Sequence, residues 1–338
     1  MNKGFALLLI LVLVTSVGIV SAQEEGSTLA MVQERGSVVC GVNQELLGFG
    51  LLDSETGGIV GFDVDFCHAI AAAIFGDASA VELSPHTAST RLSALSAGEI
   101  DVLIRNTTWT LSRDTDLGAN FVATTFYDGQ GFTVLKDSGI TSAFQLKGAK
   151  VCVTSGTTSE LNLADFSRVN NLNISAVTFE DWNVRDDTYL KGGCDAVSID
   201  KSSLAANIIS FPNPADHMIL PETISKEPLG PAVRQGDSQW ANLVKWSLFA
   251  MINAEELGIT STNVDDMRAN SKDVNVRRML GVEGTLNEGL GLPKDWAYNI
   301  IKQVGNYGEN YEKYIGSGKG ALGIKREGTL NALWNKGG

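Results

Sequence analysis

Charged side chains follow the predicted strands of this sequence at the points where two of those strands end. Arg113 comes shortly after the apolar run at residues 100–104, and Asp200 comes directly after the run at 195–199. A third run, at 151–153, leads into a polar loop. Because ligand clefts of open α/β sheets lie at the carboxyl ends of the strands, these segments are candidates for a binding site.

The polar loop after the third run predicts the start of a helix. Thr157 and Glu160 have the spacing of a capping box. The helix that follows would present the free N–H groups of its first residues, Thr158 and Ser159, and the positive end of its dipole. Both favour an anion at this position.

Together, these groups match a small molecule that carries both a carboxylate and an ammonium, such as a free amino acid. Burying either charge without a partner costs several kcal/mol, roughly. Arg113 can bind a carboxylate bidentately with help from the amides near Thr158, and Asp200 can accept hydrogen bonds from the ammonium. Thr108 and Asn106 can complete the hydrogen bonds. Since a charged residue after a strand is usually a solvated turn residue, the prediction rests on the joint placement.

The sequence offers little for catalysis, metal binding or a cofactor. The three histidines, His68, His86 and His217, have no spacing typical of a metal site or a catalytic triad. The G-x-G-x-x-G match at 318–323 follows a polar stretch rather than a strand, which indicates a surface loop. An enzyme would need a general acid or base beyond the charged pair, and the best candidate, Glu160, is already explained as a cap.

The hydrophobic pattern predicts two α/β units. In the first, a strand at 37–42 is followed by an Ala-rich helix at 64–75, with Asp63 as its N-cap. A second strand and helix alternation begins after residue 131. An extended piece at 230–234 then leads into long amphipathic segments that need a partner core.

The economical arrangement is an α/β fold of two lobes joined by a two-strand hinge, with a ligand cleft between them. The first lobe is predicted to comprise residues 23–131 and 232–338, and the second lobe residues 132–231.

Four cysteines remain after residue 22, namely Cys40, Cys67, Cys152 and Cys194. An even number in an oxidising compartment favours disulfides, and three pairings are possible. The order along the chain favours one bridge within each lobe, Cys40 with Cys67 and Cys152 with Cys194. Four buried free thiols are the alternative.

The first 22 residues have the pattern of a secretory signal peptide. A lysine precedes an apolar run that ends in Val20-Ser21-Ala22, which predicts cleavage after Ala22 rather than an uncleaved anchor. No cysteine lies near that position, which argues against a lipid anchor. We therefore expect a free periplasmic protein. The formal net charge of −13 disfavours nucleic acid as a partner.

Seven stretches of the sequence resemble the periplasmic amino-acid-binding proteins of ABC importers, which have the type II periplasmic binding protein fold, and specifically their general L-amino-acid-binding branch. They are GFDVDFCHAIAAAIFGD (61–77), GEIDVLIRNTTWTLSRD (98–114), YDGQGF (127–132), VCVTSGTTSELNLADF (151–166), CDAVSID (194–200), ILPETISKEPLGPAVR (219–234) and VGNYGE (304–309). The resemblance implies a monomeric binding protein without catalysis or cofactor. It would close on a free L-amino acid and present it to the membrane subunits of the importer.

Carried over position by position, the resemblance places Arg113 on the carboxylate-binding arginine and Asp200 on the ammonium-binding aspartate. Thr108 and Asn106 fall on the first-lobe residues that contact the ligand backbone, and Thr158 falls on the second-lobe threonine that meets the carboxylate.

Departures from the family pattern bear on specificity. Asn43 and Leu46 replace an aspartate and an aromatic residue of many relatives, which weakens the case for basic ligands. Arg105 replaces a small residue, and it would either reach the side chain of an acidic or amide ligand or form a surface salt bridge. We therefore expect broad or polar, acidic and amide selectivity. The alternative is a periplasmic enzyme on the same scaffold, such as a cyclohexadienyl dehydratase.

Overall fold

The computed structural model describes residues 27–338. The predicted signal peptide at 1–22 lies outside the described residues. The strands are β1 (Val38–Val42), β2 (Glu45–Leu46), β3 (Gly50–Leu52), β4 (Ile59–Val60), β5 (Val81–Pro85), β6 (Val102–Leu103), β7 (Ala119–Phe121), β8 (Phe126–Asp128), β9 (Gln130–Leu135), β10 (Lys150–Thr154), β11 (Ser175–Phe179), β12 (Ala196–Asp200), β13 (His217–Ile219), β14 (Glu227–Leu229) and β15 (Ala232–Arg234). The helices are α1 (Thr28–Arg35), α2 (Phe62–Phe75), α3 (Arg91–Ala97), α4 (Leu111–Thr115), α5 (Thr158–Val169), α6 (Trp182–Leu190), α7 (Lys201–Ser210), α8 (Ser238–Glu256), α9 (Val264–Asn270), α10 (Val274–Met279), α11 (Trp296–Gln303) and α12 (Tyr307–Tyr314).

The first lobe is built on a five-stranded sheet with the order β5-β1-β6-β15-β7. Its strands β1, β5 and β6 are parallel, and β15 runs antiparallel to β6 and β7. Since β15 follows all strands of the second sheet in the chain, the chain leaves this lobe and returns to it. A small sheet of β2, β3 and β4 lies in the same part of the sequence.

The second lobe is built on a five-stranded sheet with the order β11-β10-β12-β9-β13. Strand β10 pairs in parallel with β11 and β12, whereas β9 runs antiparallel to β12 and β13. Strand β12 is buried along its whole length, and Asp200 is its last residue. Burial of this strand explains why it reads as an apolar run that ends in a charged residue.

Two short strands join the lobes. Strand β8 leads out of the first lobe and β14 leads back, and the two pair antiparallel, with Asp128 opposite Glu227. This ribbon is the hinge that the sequence predicted, so the fold class of two α/β lobes with a two-strand connection is confirmed.

The C-terminal helices complete the first lobe. Helix α8 packs against α2 and α11, and α12 also packs against α2. Trp240, Leu243 and Met251 of α8 are fully or almost fully buried. The partner core that the late amphipathic segments needed is therefore helix α2 and its neighbours. No helix within residues 27–338 has the combination of length and apolar character that crossing a membrane requires.

The predicted start of α2 is wrong by two residues. Gly61, not Asp63, is the N-cap of the helix, and a Cβ at Gly61 would lie 2.2 Å from the carbonyl oxygen of Phe49. Glycine is needed there because of this close approach. Asp63 lies in the first turn, where its carboxylate accepts a hydrogen bond from the Asn106 N–H at 2.6 Å.

One disulfide lies in each lobe. Cys40 of β1 is joined to Cys67 of α2, and Cys152 of β10 is joined to Cys194, which precedes β12. This is the pairing that the sequence favoured. In the chain-entropy model, loops of 27 and 42 residues correspond to about 3.5 and about 4 kcal/mol of stabilisation.

Candidate ligand-binding site

Arg113 and Asp200 approach each other from different lobes. Arg113 lies on the short helix α4 and is 6% exposed, whereas Asp200 ends β12 and is 5% exposed. Each charge is near enough to shift the pKa of the other group, yet within residues 27–338 they form no direct ion pair. The structure thus brings together two opposite charges that are buried but not paired with each other.

The Arg113 side chain is held by the backbone of its own lobe. Its Nη1 donates to the Thr108 carbonyl oxygen at 2.8 Å, and its backbone N–H donates to the N-cap hydroxyl of Thr110 at 3.3 Å. Burial lowers the pKa of Arg113, and the nearby carboxylates of Glu227 and Asp200 oppose that shift. An anionic group of a ligand would offset the same cost.

The Asp200 carboxyl lies in an environment that disfavours its charge. Burial raises its pKa well above the ordinary value, and the neighbouring acids Asp128 and Glu227 raise it further. Arg91 and Arg113 act in the opposite direction. No donor among the described residues hydrogen-bonds this carboxylate, so a ligand ammonium would supply what the protein does not.

The N-terminus of α5 lies where the two lobes meet. The hydroxyl of Thr158, its first residue, is 3.5 Å from the hydroxyl of Thr108 in the first lobe, and it donates to Glu227 of the hinge at 2.9 Å. Ser159 is buried, and its carbonyl oxygen accepts a hydrogen bond from Gln130. The helix dipole therefore directs its positive end at the boundary between the lobes.

The predicted capping box of α5 is half formed. The Thr157 hydroxyl accepts from the Glu160 N–H at 3.3 Å, as expected. The Glu160 carboxylate, however, accepts from the Gly156 N–H at 3.0 Å instead of from Thr157. The Glu160 carboxylate therefore still caps the start of the helix, as the sequence predicted.

Asn106 and Asn43 form a buried polar pair in the first lobe. The Asn43 side-chain amide donates to the Asn106 side-chain oxygen at 3.1 Å. Asn106 has a φ of 32°, in the left-handed region that few residues other than glycine and asparagine adopt. Its N–H donates to the carboxylate of Asp63. Burial raises the pKa of Asp63 to about 7. Strained backbone held in this way clusters at binding sites.

Arg105 does not form the surface salt bridge that the sequence left open. It is 3% exposed, and its Nε donates to the His86 carbonyl oxygen at 2.6 Å. The guanidinium carbon lies 5.7 Å from the ring centroid of Trp182 in the second lobe. Burial lowers its pKa to about 10. Arg105 therefore lies inside the region between the lobes, because the first residues of α6 cover it.

Three charged residues near the site were missed by sequence reasoning. Arg91, the first residue of α3, is buried, donates to the Arg105 carbonyl oxygen at 3.2 Å, and acts on the pKa of Asp200. Asp128 and Glu227 lie opposite each other in the hinge. Local sequence does not reveal the positions of the last two, because Asp128 and Glu227 come together only through the pairing of β8 with β14.

The matching of the chain to known proteins agrees with this geometry. Residues 38–262 match the family model of the bacterial extracellular solute-binding proteins, family 3. The "General L-amino acid-binding periplasmic protein AapJ" of Rhizobium johnstonii is 53% identical over 314 residues, which cover 92% of this chain and 91% of the relative. The "Glutamate/glutamine/aspartate/asparagine-binding protein BztA" of Rhodobacter capsulatus is 46% identical over 320 residues, 95% of this chain and 94% of the relative.

A solved structure is similar over almost its whole length. It is an ABC transporter periplasmic binding protein from Brucella ovis with glutathione bound, with 50% sequence identity and a TM-score of 0.89, covering 93% of this chain and 97% of that one. The relatives are named as binding proteins, which supports a solute-binding protein and not the dehydratase alternative. By the family match and by these relatives, the chain belongs to family 3 of the bacterial extracellular solute-binding proteins.

Proposed function

We propose that this protein binds free L-amino acids by their α-carboxylate and α-ammonium groups and delivers them to an ABC importer. The observation that carries the proposal is the pair Arg113 and Asp200, two buried charges on opposite lobes that form no ion pair with any of residues 27–338. The carboxylate would lie against Arg113 and the amide of Thr158, and the ammonium against Asp200. Asn106 and Thr108 complete the contacts, with Ser159 and Asn43 at the edges of the site.

The printed names of the relatives support broad or polar selectivity. One is named for general L-amino acids and another for glutamate, glutamine, aspartate and asparagine. Glutathione, bound in the similar structure, has a γ-glutamyl residue with a free α-carboxylate and α-ammonium. All these ligands share the zwitterionic group that the charged pair would bind.

The proposal includes the location and partners of the protein. Cleavage after Ala22 would release it into the periplasm as a monomer. Its partners would be the membrane subunits of the importer, and not nucleic acid, in keeping with a net charge of −13.

Isothermal titration calorimetry on two variants tests the charged pair. Arg113→Ala and Asp200→Ala each remove one of two buried partners of the ligand, which costs about 2 to 5 kcal/mol, or tens-fold and more in affinity. We expect this loss for every amino acid that the natural protein binds.

The matched control is Arg168→Ala, because Arg168 is an exposed arginine whose ion pair with Asp165 lies on the surface. It should bind as the natural protein does. Unchanged affinity in both site variants would rule out the proposed role of the pair.

A further inference from the structure

A second compartment lies beside the charged pair. It is a cavity of about 250 Å³ between the lobes, and its lining includes Asn43, Glu45, Arg105, Glu180, Asp181 and Trp182. It is somewhat smaller than the pockets of about 300–1,000 Å³ that hold drug-sized ligands, which suits one amino-acid side chain. Asn43 connects it to Asn106 of the neighbouring site. We call this cavity the side-chain compartment.

Two buried residues that line the compartment carry hydrogen-bond donors without acceptors, and we call their part of the lining the buried end. Arg105 and Trp182 are 3% and 5% exposed. The Arg105 Nη1 and the Trp182 Nε1 have no partner among the described residues. A buried donor left unsatisfied is destabilising, so an acceptor oxygen of a ligand would be stabilising there.

The open end of the compartment carries carboxylates. Glu45 of the first lobe and Glu180 and Asp181 of the second are exposed, and in the described part of the chain none of them forms an ion pair. The Asp181 side chain also caps α6 by accepting from the Val184 N–H at 3.0 Å. The exposed acids of the lining thus come from both lobes, whereas the donors belong to its buried residues.

We propose that this compartment sorts ligand side chains by length and charge. The oxygen atoms of acidic and amide side chains meet Arg105 and Trp182 at the buried end. The terminal cation of a long basic side chain extends past the Trp182 ring to Glu45, Glu180 and Asp181 at the opening. The inference rests on the proposed function, because it takes the α-carboxylate and α-ammonium to be held by Arg113 and Asp200.

The open end is tested by the triple variant Glu45→Gln, Glu180→Gln, Asp181→Asn, titrated calorimetrically with L-arginine and L-glutamate at low salt. Asparagine keeps the helix cap. Because each exposed ion pair contributes only modestly, we expect arginine affinity to fall by about 3-fold to 30-fold. Glutamate affinity should stay the same or rise.

The control for this variant removes the same three charges elsewhere. Asp165→Asn, Asp187→Asn, Glu283→Gln changes exposed acids outside the compartment and should leave both affinities unchanged. If the compartment variant shifts arginine and glutamate equally, or if the natural protein binds glutamate but not arginine, the role of the open end is wrong.

The buried end is tested by Trp182→Phe, which keeps an aromatic ring and removes one donor. We expect glutamate and glutamine to bind about 3-fold to 10-fold more weakly, in line with the loss of one hydrogen bond. L-Alanine, whose methyl group does not reach the compartment, should bind as before. Equal losses for all three ligands, or none, would contradict a role in side-chain binding.

L-Alanine separates this inference from the proposed function. Alanine binding that is lost in Arg113→Ala but kept in both compartment variants supports the role of the charged pair. The role of the compartment is then tested by the affinities for arginine, glutamate and glutamine. If the natural protein binds no amino acid at all, the proposed function itself fails.

Discussion

Three acids and two arginines share the buried region between the lobes. Burial, together with the nearby Glu227, raises the pKa of Asp128 to about 6, and Asp128 and Glu227 in turn add to the effect of burial in raising the pKa of Asp200. Arg91 and Arg113 only partly offset this effect. Because a ligand ammonium adds positive charge beside Asp200, binding and ionisation of the acids should be coupled.

Amino-acid binding should therefore weaken at low pH and release protons. The carboxyl of Asp200 has a raised pKa in the ligand-free protein, and it must be ionised to bind the ammonium. We expect affinity for a neutral ligand such as L-glutamine to fall as the pH is lowered from about 8 to about 5. Calorimetry near pH 6 in two buffers of different ionisation enthalpy should show proton release, and identical binding enthalpies after correction for dilution would contradict this coupling.

The raised pKa of Asp63 leads to a prediction about stability, in which a rise in pH is unfavourable. Its pKa in the folded protein is about 7, above the ordinary value of 3.8, so the folded state binds more protons than the unfolded state between these values. The contribution of Asp63 to stability is then lost as the pH rises through that window. Asp63→Asn should flatten the fall in melting temperature of the ligand-free protein from about pH 5 to 7.5. An unchanged slope would show that Asp63 is ionised throughout.

At the residue scale, the sequence marks candidate site residues mainly where strands end. Arg113, Thr158 and Asp200 follow apolar runs, and the structure brings their elements to one boundary between the lobes. Arg91 and Glu227 were not predicted, because no local pattern marks them. Arg91 begins a helix away from any strand end, and Glu227 gains its neighbours only through the pairing of β14 with β8.

At the scale of elements, the C-terminal segment secures the hinge. The side-chain amide of Asn331 bonds to both backbone groups of Tyr127 in β8: it accepts from the N–H at 2.6 Å and donates to the carbonyl oxygen at 3.0 Å. Asn331 thus serves the edge of β8 that β14 does not cover. Arg326 of the same segment pairs with Glu255 and packs over Tyr307 and Tyr311.

Asn331→Ala should destabilise the protein. It leaves two partly buried backbone groups of the hinge without partners, at about 1 to 3 kcal/mol for each such group. We expect a lower melting temperature by several degrees in calorimetric unfolding. Asn183→Ala, which changes an exposed asparagine of α6, is the control and should unfold with the natural protein. Equal melting temperatures for the two variants would show that the contact with β8 adds no stability.

Elements were predicted best where burial produces long apolar runs. The strands around 38–42, 102–103 and 151–154 and the Ala-rich helix were found from such runs. The start of α2 was misplaced because an aspartate in the first turn has the same local pattern as an N-cap. The actual reason for Gly61, contact with Phe49, depends on a turn that local sequence does not show.

At the scale of the whole molecule, two lobes joined by a short two-strand ribbon are suited to opening and closing. Their sheets are joined by the short ribbon of β8 and β14, and each lobe carries its own disulfide. Motion can therefore be confined to the hinge while each lobe stays rigid, as in hinge-type domain closure. The two-lobe architecture could be predicted from the sequence because the alternation of strands and helices occurs in both halves of the chain.

The central claim is that opposite charges from the two lobes bind the two ends of one zwitterion. A crystal structure of the protein with L-glutamate tests it most directly. We expect the α-carboxylate within hydrogen-bonding distance of the Arg113 guanidinium and the Thr158 N–H, and the ammonium on the Asp200 carboxylate. A ligand bound with either group away from these residues, or bound outside the boundary between the lobes, would contradict the account.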